Sequence, residues 1–344
     1  MQAIVIHAPR DLRVDRVTID APGEGEAVVD ISMGGICGSD LHYYAHGGFG
    51  DIRIKQPMVL GHEVAGVVAA VGDNVDAGLQ GRRVSINPSR PCGRCSYCGA
   101  GLPNHCMDMR FFGSAMRFPH VQGAFQQSIV VDAQQCVPVS DSLSMQSAAF
   151  AEPLSVALHA VNRAGSLNGK RVLVAGCGPI GAAVVAATRF AGALEVVACD
   201  VTDAPLKCAQ ALGADRTVNV ATSPDQLAVA DGLKGIFDVV IEASGNEQAF
   251  RRALNVLKPR GILVQVGLGG EISIPQNVVV AKEIDVRGSF RFHEEFQWAV
   301  NLLSAGKIDI SPIISHTFPV RSALDAFETA MDRSTAMKVL IDFS

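Results

Sequence analysis

The sequence predicts an α/β protein of two domains, one built on a doubly wound parallel sheet and one rich in short antiparallel strands. Three observations predict this fold class. The chain has 344 residues, which is more than one core usually holds. Six short apolar segments recur in its second half, with room between them for helices. Glycine, proline and short β-branched runs dominate its first half.

The first region covers residues 1 to about 150. β-Branched runs at 27–32 and 64–71, separated by turn residues, predict antiparallel strands. The pattern becomes mixed again after about residue 290, so we expect the C-terminal segment to return to this domain. We therefore predict one domain from residues 1–152 and 291–344 and a second from residues 153–290.

The second region carries the predicted parallel sheet. Its six apolar segments are RVLVAG, EVVACD, RTVNV, FDVVIEAS, GILVQVG and EIDVRGS. Helical patterns, or loops long enough for crossover connections, separate them. Because parallel strands need such crossovers, the segments predict a doubly wound sheet.

A glycine-rich turn follows the first of these strands. The turn GCGPIG opens a helix that we expect to reach about Ala191, so its backbone N–H groups can face a pyrophosphate. Asp200 ends the next strand, where its carboxylate can accept hydrogen bonds from the adenosine ribose hydroxyls. These features predict a dinucleotide site and favour NAD over NADP. The candidate residues of the turn are Gly176, Gly178, Pro179, Ile180 and Gly181.

Four cysteines form a cluster with the spacing CxxCxxCx7C: Cys92, Cys95, Cys98 and Cys106. Four thiolates among glycines can close a tetrahedral zinc site with no open position, which is typical of a structural ion. Removing that ion should loosen the loop more than it changes any chemistry. Disulfides and a nucleic-acid zinc knuckle are the alternatives, and the close spacing and the acidic chain disfavour them.

Scattered residues predict a second zinc site. Cys37 lies in GGICGSDLH, His62 and Glu63 lie in VLGHEVAG, and Glu152 lies in FAEPLSVALHA. Catalytic zinc takes three protein ligands and keeps one position for water or substrate, so Cys37, His62 and a carboxylate would suffice. The alternative interpretation is that each is an ordinary core side chain.

Composition limits the partners. The formal net charge of −5 provides no field for phosphate backbones, so no nucleic-acid partner is expected. The N-terminus lacks the pattern of a signal peptide, and Arg189 and Glu195 interrupt the most apolar long stretch, so no membrane span is expected. The nine cysteines are an odd number, and the close CxxC spacing of the cluster fits thiolate ligands in a reducing compartment, so we expect a cytoplasmic protein.

The order of several segments resembles that of the zinc-dependent medium-chain dehydrogenase family, over nearly the whole chain. These segments are GICGSDLHYY, LGHEVAGVVAAVGDNV, PCGRCSYCGAGLPNHC, FAEPLSVALHA and VLVAGCGPIGAA. Within the family, the chain resembles the polyol branch, which includes the sorbitol dehydrogenases. Two further segments, MRFFGSAMRFPHVQGAF and GSFRFHEEF, are most similar to the L-idonate 5-dehydrogenase subgroup.

The resemblance implies a GroES-like catalytic domain, a Rossmann domain, NAD as cofactor, and a homodimer or homotetramer. By this resemblance, Cys37 and His62 bind a catalytic zinc ion. Glu63 and Glu152 stand where the branch places one direct carboxylate ligand and one water-linked partner. The four clustered cysteines match the family's second, structural zinc site.

The resemblance also implies roles around the reacting hydroxyl. Ser39 would lie beside the reacting oxygen, Asp40 would orient the histidine ligand, and His42 would pass the proton outward. Further positions match the substrate pocket, namely Tyr43, Phe112 and Arg291. Others match the stretches around the nicotinamide, namely Val266, Gly267, Leu268, Ser289 and Phe290.

The expected reaction is the NAD-dependent oxidation of a small polyol or aldonate, specifically of L-idonate at C5 to 5-ketogluconate. Arg117, with His120 and Arg291, is a candidate to bind the aldonate carboxylate. The alternatives are oxidation of sorbitol, threonine or butanediol, and a non-catalytic protein that binds zinc and a dinucleotide. Sorbitol dehydrogenases carry an arginine where Pro205 stands here, so the adenosine contacts should differ and use of NADP stays open.

Overall fold

The computed structural model describes residues 1–228 and 234–344. The described chain forms two compact units. The first consists of Met1–Glu152, Phe296–Gly306 and Ile314–Ser344, and the second of Pro153–Glu295 and Lys307–Ile313. The chain thus returns to the first unit at Phe296, whereas the sequence pattern placed that return at residue 291.

The first unit is rich in short strands. Its strands are β1 Gln2–Ala8, β2 Asp11–Arg16, β3 Glu26–Gly35, β4 Gly48–Phe49, β5 Ile52–Arg53, β6 Met58–Val59, β7 Glu63–Val71, β8 Arg83–Ile86, β9 Ser89–Arg90, β10 Arg110–Phe111, β11 Ser128–Asp132, β12 Cys136–Pro138, β19 Ile314–Pro319 and β20 Lys338–Asp342. Its helices, with two that pass into or out of the second unit, are α1 Gly38–His46, α2 Ser96–Gly99, α3 Met145–Ala149, α4 Ala151–Ala164, α10 Glu295–Ser304 and α11 Ala323–Met331.

Most of these strands are antiparallel, which confirms the predicted character of this region. The main sheet has the order β12-β8-β7-β3-β20-β19, with β11 also paired to β3. In β3 the side chains of Ala27, Val29 and Ile31 are buried, while Asp30 between them is exposed. This alternation is what a strand with one face on the core requires.

The second unit contains a parallel sheet of six strands. They are β13 Arg171–Ala175, β14 Glu195–Asp200, β15 Arg216–Asn219, β16 Phe237–Glu242, β17 Leu257–Gln265 and β18 Asp285–Gly288. The helices are α5 Pro179–Phe190, α6 Asp203–Ala211, α7 Asp225–Ala228, α8 Glu247–Val256 and α9 Gln276–Lys282. Five of the six predicted segments contain one of these strands and the sixth, GILVQVG, overlaps β17, so the doubly wound sheet is confirmed.

The strand order of this sheet marks a binding edge. It runs β15-β14-β13-β16-β17-β18, so the direction of winding reverses between β13 and β16. Open α/β sheets bind ligands beyond the carboxyl ends of the strands at such a point. Val172, Leu173 and Val174 are buried in succession because helices cover both faces of a parallel sheet.

Among the described residues, no helix combines the length and the apolar character needed to cross a membrane.

Candidate active site

A short helix begins directly after the first predicted zinc ligand. Cys37 is the N-cap of α1, and its backbone N–H donates to Oδ2 of Asp40 at 3.0 Å. Ser39, His42 and Tyr43 follow at spacings of three and four residues, which share one face of a helix. The helix therefore carries a predicted metal ligand and three predicted reaction-site residues in a fixed register.

Asp40 joins two segments that carry predicted ligands. Its side chain is fully buried, Oδ1 accepts a hydrogen bond from the N–H of Gly61 at 3.2 Å, and the same oxygen lies 4.0 Å from Nδ1 of His62. Burial raises the pKa of Asp40, and the neighbouring His62 opposes that shift. Asp40 thus lies where it could orient His62 and hold it near Cys37.

Three of the predicted ligands lie within reach of one metal ion. The ligand atoms of Cys37, His62 and Glu63 are all within 4.8 Å of one another. Nδ1 of His62 is buried without a hydrogen-bond partner among the described residues, and because it faces Asp40, Nε2 is left for a metal. One sulfur, one nitrogen and one oxygen donor are what a catalytic zinc site uses.

The ionisation of Cys37 also fits a metal site. Burial, together with the charge of Glu63, raises the pKa of Cys37 to about 12. A thiol in this setting stays protonated near neutral pH unless a cation stabilises the thiolate, which bound zinc does.

A buried lysine, which sequence reasoning missed, neutralises Glu63. Nζ of Lys338 in β20 donates to the two carboxylate oxygens of Glu63 at 2.8 and 2.7 Å and to the carbonyl oxygen of Ile36 at 2.9 Å. Burial alone would lower the pKa of Lys338, but the charges of Glu63 and Cys37 raise it. Gly35 lies opposite Glu63 between β3 and β7, and a Cβ at Gly35 would be 2.3 Å from the Glu63 carboxylate.

Glu152 lies in the first turn of α4, outside the group of three mutually close ligand atoms. Its side chain is buried. Burial raises the pKa of Glu152 to about 8, while His62 opposes this shift and Glu63 adds to it. The electrostatic neighbours of Glu152 are thus the predicted ligands themselves.

His42 is the exposed member of the α1 set. Its ring centre lies 6.1 Å from that of His46 and 6.0 Å from that of Phe49. Partial burial and the neighbouring His46 lower the pKa of His42, so the ring is neutral near pH 7 and can accept a proton. Ser39, one turn earlier, is half-buried.

Two predicted pocket residues pack in the core of the first unit. Tyr43 is buried, and its hydroxyl oxygen accepts a hydrogen bond from the N–H of Ala115 at 2.9 Å. Phe112 is half-buried and packs against the same hydrophobic cluster. Their aromatic surface could exclude water from one side of a substrate.

The candidate cations for an aldonate carboxylate have different surroundings. Arg117 forms an ion pair with Asp108. Nε2 of His120 accepts a hydrogen bond from the N–H of Lys55 at 2.8 Å, so Nδ1, 2.7 Å from the carbonyl oxygen of Arg117, carries the proton. His120 is therefore a neutral loop residue rather than a cation. Arg291 lies in the second unit with φ of 54°, and its guanidinium carbon lies 5.0 Å from the ring centre of Phe290.

The four clustered cysteines converge as predicted from their spacing. Their sulfur atoms lie within 4.8 Å of one another, and all nine cysteines of the chain are free thiols. Backbone N–H groups of Cys98 and Met107 lower the pKa of Cys95 to about 6. The N–H groups of Cys92 and Asp108 donate to the sulfur of Cys106 at 3.1 and 3.3 Å. Burial and the neighbouring thiols raise the pKa of Cys98 to about 12, so a cation would be needed to hold all four sulfurs as thiolates. Four sulfur atoms at this separation fit a structural zinc ion.

The glycine turn of the second unit has the close packing that its sequence predicts. Gly176 has φ of 85°, and a Cβ at Gly181 would lie 1.8 Å from the carbonyl oxygen of Gly176. Gly178 is the N-cap of α5 and Pro179 is its first residue. Asp200 ends β14 and its Oδ2 accepts a hydrogen bond from the N–H of Cys177 at 2.7 Å, which holds this carboxylate beside the turn.

Unpartnered polar atoms lie at the same edge of the sheet. The hydroxyl of Ser289 and Oε1 of Gln265 are buried without a hydrogen-bond partner among the described residues. The N–H of Ser289 donates to the carbonyl oxygen of Gln265 at 2.9 Å, so the two residues are adjacent. Leu268, which follows Val266 and Gly267, is 82% exposed. Free polar atoms beside an exposed apolar side chain fit an amide-bearing ring such as nicotinamide.

Known proteins match the chain along most of its length. The family model of the alcohol dehydrogenase GroES-like domain matches residues 23–141, and that of the zinc-binding dehydrogenase matches residues 179–305. The L-idonate 5-dehydrogenase (NAD(P)(+)) of Escherichia coli K12 is 44% identical over 99% of this chain and 98% of its own length. The sorbitol dehydrogenase of Bos taurus is 36% identical over 98% of this chain and 95% of its own length. The superposition on the crystal structure of the E. coli L-idonate 5-dehydrogenase includes 99% of this chain and 97% of that chain, with a TM-score of 0.95 at 44% sequence identity.

These matches confirm the expected fold, the enzyme class, and zinc and NAD(P) as cofactors. The donor clusters for zinc and the glycine turn for the dinucleotide occur in the structure as the sequence predicts. The chain therefore belongs to the zinc-dependent medium-chain dehydrogenase family, in its polyol dehydrogenase branch.

Proposed function

We propose that this dehydrogenase oxidises L-idonate at C5 to 5-ketogluconate. The group of half-buried Cys37 with buried His62 and Glu63 carries the assignment to alcohol oxidation, because it offers a zinc ion three ligands and leaves a position for a hydroxyl. The 44% identity to the L-idonate 5-dehydrogenase of E. coli, over both chains, supports the substrate.

The chemistry divides between the cofactors and the side chains. When bound, zinc polarises the substrate hydroxyl and lowers its pKa, and the nicotinamide C4 accepts the hydride from C5. Ser39 takes up the hydroxyl proton as its own proton moves on to His42, and His42 releases a proton to solvent. The alcohol thus loses one hydride and one proton, and the carbonyl forms at C5. Asp40 holds His62 in place during this step.

The direct carboxylate ligand is proposed to be Glu63. It lies within the 4.8 Å group with Cys37 and His62, and Lys338 offsets its charge. Glu152 is then the water-linked partner, because its buried carboxyl faces the same ligands from outside that group.

Recognition of the aldonate carboxylate is proposed for one of two arginines, Arg291 in the second unit or Arg117 in the first. The ion pair of Arg117 with Asp108 lowers the charge that Arg117 presents to a substrate. An unchanged KM for L-idonate in Arg117→Ala, measured beside an increased KM in Arg291→Ala, would assign the carboxylate to Arg291 alone.

The cofactor is proposed to bind along the carboxyl edge of the second unit's sheet. Its pyrophosphate would lie against the Gly176–Gly181 turn, its ribose hydroxyls on Asp200, and its nicotinamide against Val266, Gly267, Leu268, Ser289 and Phe290. Asp200 opposes a 2′-phosphate by charge, so we expect NAD to be preferred. The ratio of kcat/KM for NAD to that for NADP tests this preference.

Assembly as a homodimer or homotetramer in the cytoplasm completes the proposal. Within the described residues, β18 ends the parallel sheet, and three of its four residues are exposed. Helix α9, which precedes β18 in the chain, has no buried residue, and Val280 and Val286 are 68% and 43% exposed. An open strand edge with exposed valines suits pairing with a second copy.

The free state of all nine cysteines supports a reducing compartment.

Initial rates of NADH formation by the zinc-loaded protein test the substrate. L-Idonate, sorbitol, L-threonine and 2,3-butanediol are compared at matched concentrations. We expect L-idonate to give the highest kcat/KM. A preference for another alcohol would be consistent with zinc-dependent alcohol oxidation but would reject the assignment to the L-idonate 5-dehydrogenase subgroup. No measurable rate with any of the four alcohols would favour a non-catalytic protein that binds zinc and a dinucleotide.

A further inference from the structure

A fully buried carboxylate lies at the cofactor edge of the second unit, outside every role assigned above. Glu242 is the last residue of β16 and has 0% relative exposure. Because β16 neighbours β13 at the reversal of strand order, this carboxyl group lies at the part of the sheet where ligands bind. Burying a charge is costly unless hydrogen bonds compensate, so the donors around Glu242 show what its charge holds in place.

The carboxylate of Glu242 organises the turn that follows its own strand. Oε1 accepts from the N–H of Ser244 at 2.8 Å and from the Ser244 hydroxyl. Oε2 accepts from the N–H of Gly245 at 2.9 Å and from Nε2 of Gln265 at 2.7 Å. The four donors are neutral, and both oxygens only accept, which is the pattern of an ionised carboxylate.

The same residue also fixes the turn after β17. The carbonyl oxygen of Glu242 accepts from the N–H groups of Val266 and Gly267 at 2.8 and 3.0 Å. Nε2 of Gln265, which donates to the Glu242 carboxylate, donates to the carbonyl oxygen of Gly267 at 2.7 Å as well. The backbone carbonyl oxygen of Gln265 in turn accepts a hydrogen bond from the N–H of Ser289. Glu242 is therefore joined, directly or through one residue, to three of the positions proposed to face the nicotinamide.

The two turns are packed against each other without spare volume. A Cβ at Gly267 would lie 2.1 Å from the nitrogen of Gly245, and a Cβ at Gly269 would lie 1.7 Å from the Gly245 carbonyl oxygen. A Cβ at Gly176 would lie 2.7 Å from the Cβ of Ser244. Movement of the turn that Glu242 holds must therefore displace the stretch from Gly267 to Gly269.

We infer that Glu242 is a positioning residue for the nicotinamide half of the dinucleotide, acting through Gly245 and Gln265. The inference rests on the proposed placement of the nicotinamide against Val266, Gly267 and Leu268. The adenosine half depends on other contacts, because the carboxylate of Asp200 accepts hydrogen bonds from residues 177, 201 and 202. Glu242 should therefore matter for binding the nicotinamide and not for binding the adenosine.

The test compares two ligands on the zinc-loaded full chain. NADH carries the nicotinamide, and AMP carries the adenosine and one phosphate only. In Glu242→Gln we expect the Kd for NADH to rise about tenfold, the order of effect for weakening hydrogen bonds to a charged group, and the Kd for AMP to stay within about twofold. Glu247→Gln is the matched control, because Glu247 is a half-exposed acid on α8 paired with Arg251, and both Kd values should stay unchanged.

Four outcomes would overturn the inference. Equal weakening of NADH and AMP in Glu242→Gln would show a general structural role, and an unchanged Kd for NADH would show no positioning role. If Glu242→Gln does not fold, Ser244→Ala decides, since it removes the hydroxyl donor to the carboxylate and leaves the backbone donors; an unchanged Kd for NADH there also rejects the inference. Wild-type protein that binds neither ligand would instead reject the proposed cofactor site, and the inference with it.

Discussion

The ion pair between Glu63 and Lys338 is the least predictable contact of the zinc site. Glu63 was identified as a ligand candidate from its neighbour His62, but Lys338 lies 275 residues further along the chain. Its sequence signal is a single lysine that opens the otherwise apolar strand KVLID. Sequence patterns reveal which residues are buried together on one element, and they do not reveal which distant charge a buried carboxylate will meet.

Lys338→Met should destabilise the metal-free protein by about 3–5 kcal/mol, because it leaves the buried Glu63 carboxylate without a counter-charge. Zinc loading should reduce this loss, since the ion then balances the same carboxylate. Urea unfolding with and without zinc measures both values. Lys307→Met, at an exposed lysine, is the control, and a loss that zinc does not change would reject the shared role of Glu63.

His62→Ala should lower turnover by at least about 100-fold, because it removes a ligand of the catalytic metal. Affinity for NADH should change little, since the dinucleotide residues lie in the second unit. Zinc content by mass spectrometry, steady-state rates and NADH titration measure the three quantities. His316→Ala, at a histidine in β19 that has no role in the proposed reaction, should behave as wild type, and equal activity of both variants would reject the zinc assignment.

At the scale of elements, the strands were the most predictable part of the fold. Each segment from RVLVAG to EIDVRGS contains or overlaps an observed strand. The signal is strongest in the central strands β13, β14 and β16, because a strand covered on both faces needs a nearly continuous apolar run. The return of the chain to the first unit was less predictable. It falls at Phe296, inside the helix α10, and no glycine or proline marks the change there.

The first residue of α10 provides a pH-dependent contact within the second unit. The carboxylate of Glu295 accepts hydrogen bonds from Nδ1 of His159 at 2.9 Å, Nδ2 of Asn162 at 2.8 Å and the N–H of His293 at 2.8 Å. Burial opposes ionisation, but these donors outweigh it and lower the pKa of Glu295 to about 2. The motif was not found from sequence because its two side-chain donors, His159 and Asn162, lie on α4, far from α10 along the chain.

Glu295→Gln should therefore change how the free energy of unfolding depends on pH below neutrality. A carboxyl group whose pKa is lowered by folding stabilises the protein fully above its unfolded pKa of about 4.5, and this contribution is lost as pH falls towards about 2. We expect the variant to lose on the order of 2–3 kcal/mol at pH 7 and to show a weaker pH dependence between these values. Chemical unfolding across pH 2.5–7 measures it. Parallel curves for wild type and variant, with the exposed Glu294→Gln as control, would contradict the assignment.

At the scale of the whole molecule, metal content separates the two zinc sites. We expect about two zinc ions per chain in the wild type and about one in Cys95→Ser, which removes a ligand of the four-cysteine site. Hydrogen exchange should rise around residues 92–108 in that variant, with the strands of the second unit unchanged. Ser96→Ala is the control from the same loop. A Cys95→Ser protein that keeps two ions would reject the structural site.

Assembly is the second property of the whole molecule that can be tested. Val286→Lys places a charge on the open edge of β18 and should shift the protein from dimer or tetramer towards monomer, because charged side chains on an edge strand oppose pairing. Light scattering after gel filtration measures the mass. The control is Leu194→Lys, which changes an exposed leucine far from β18 in the sequence. An unchanged mass in Val286→Lys would exclude β18 from the interface.

The hydrogen bonds of Asp40 imply that the two zinc ions would be lost and regained in different ways. Its carboxylate accepts from the N–H groups of Cys37 and Gly61, so both ligand segments keep their places through protein contacts alone. The four-cysteine loop has mostly half-exposed ligands on short turns. A chelator should therefore strip the catalytic ion reversibly, with activity returning as fast as zinc is added back. Recovery of the loop would instead wait for the chain to refold around its ion.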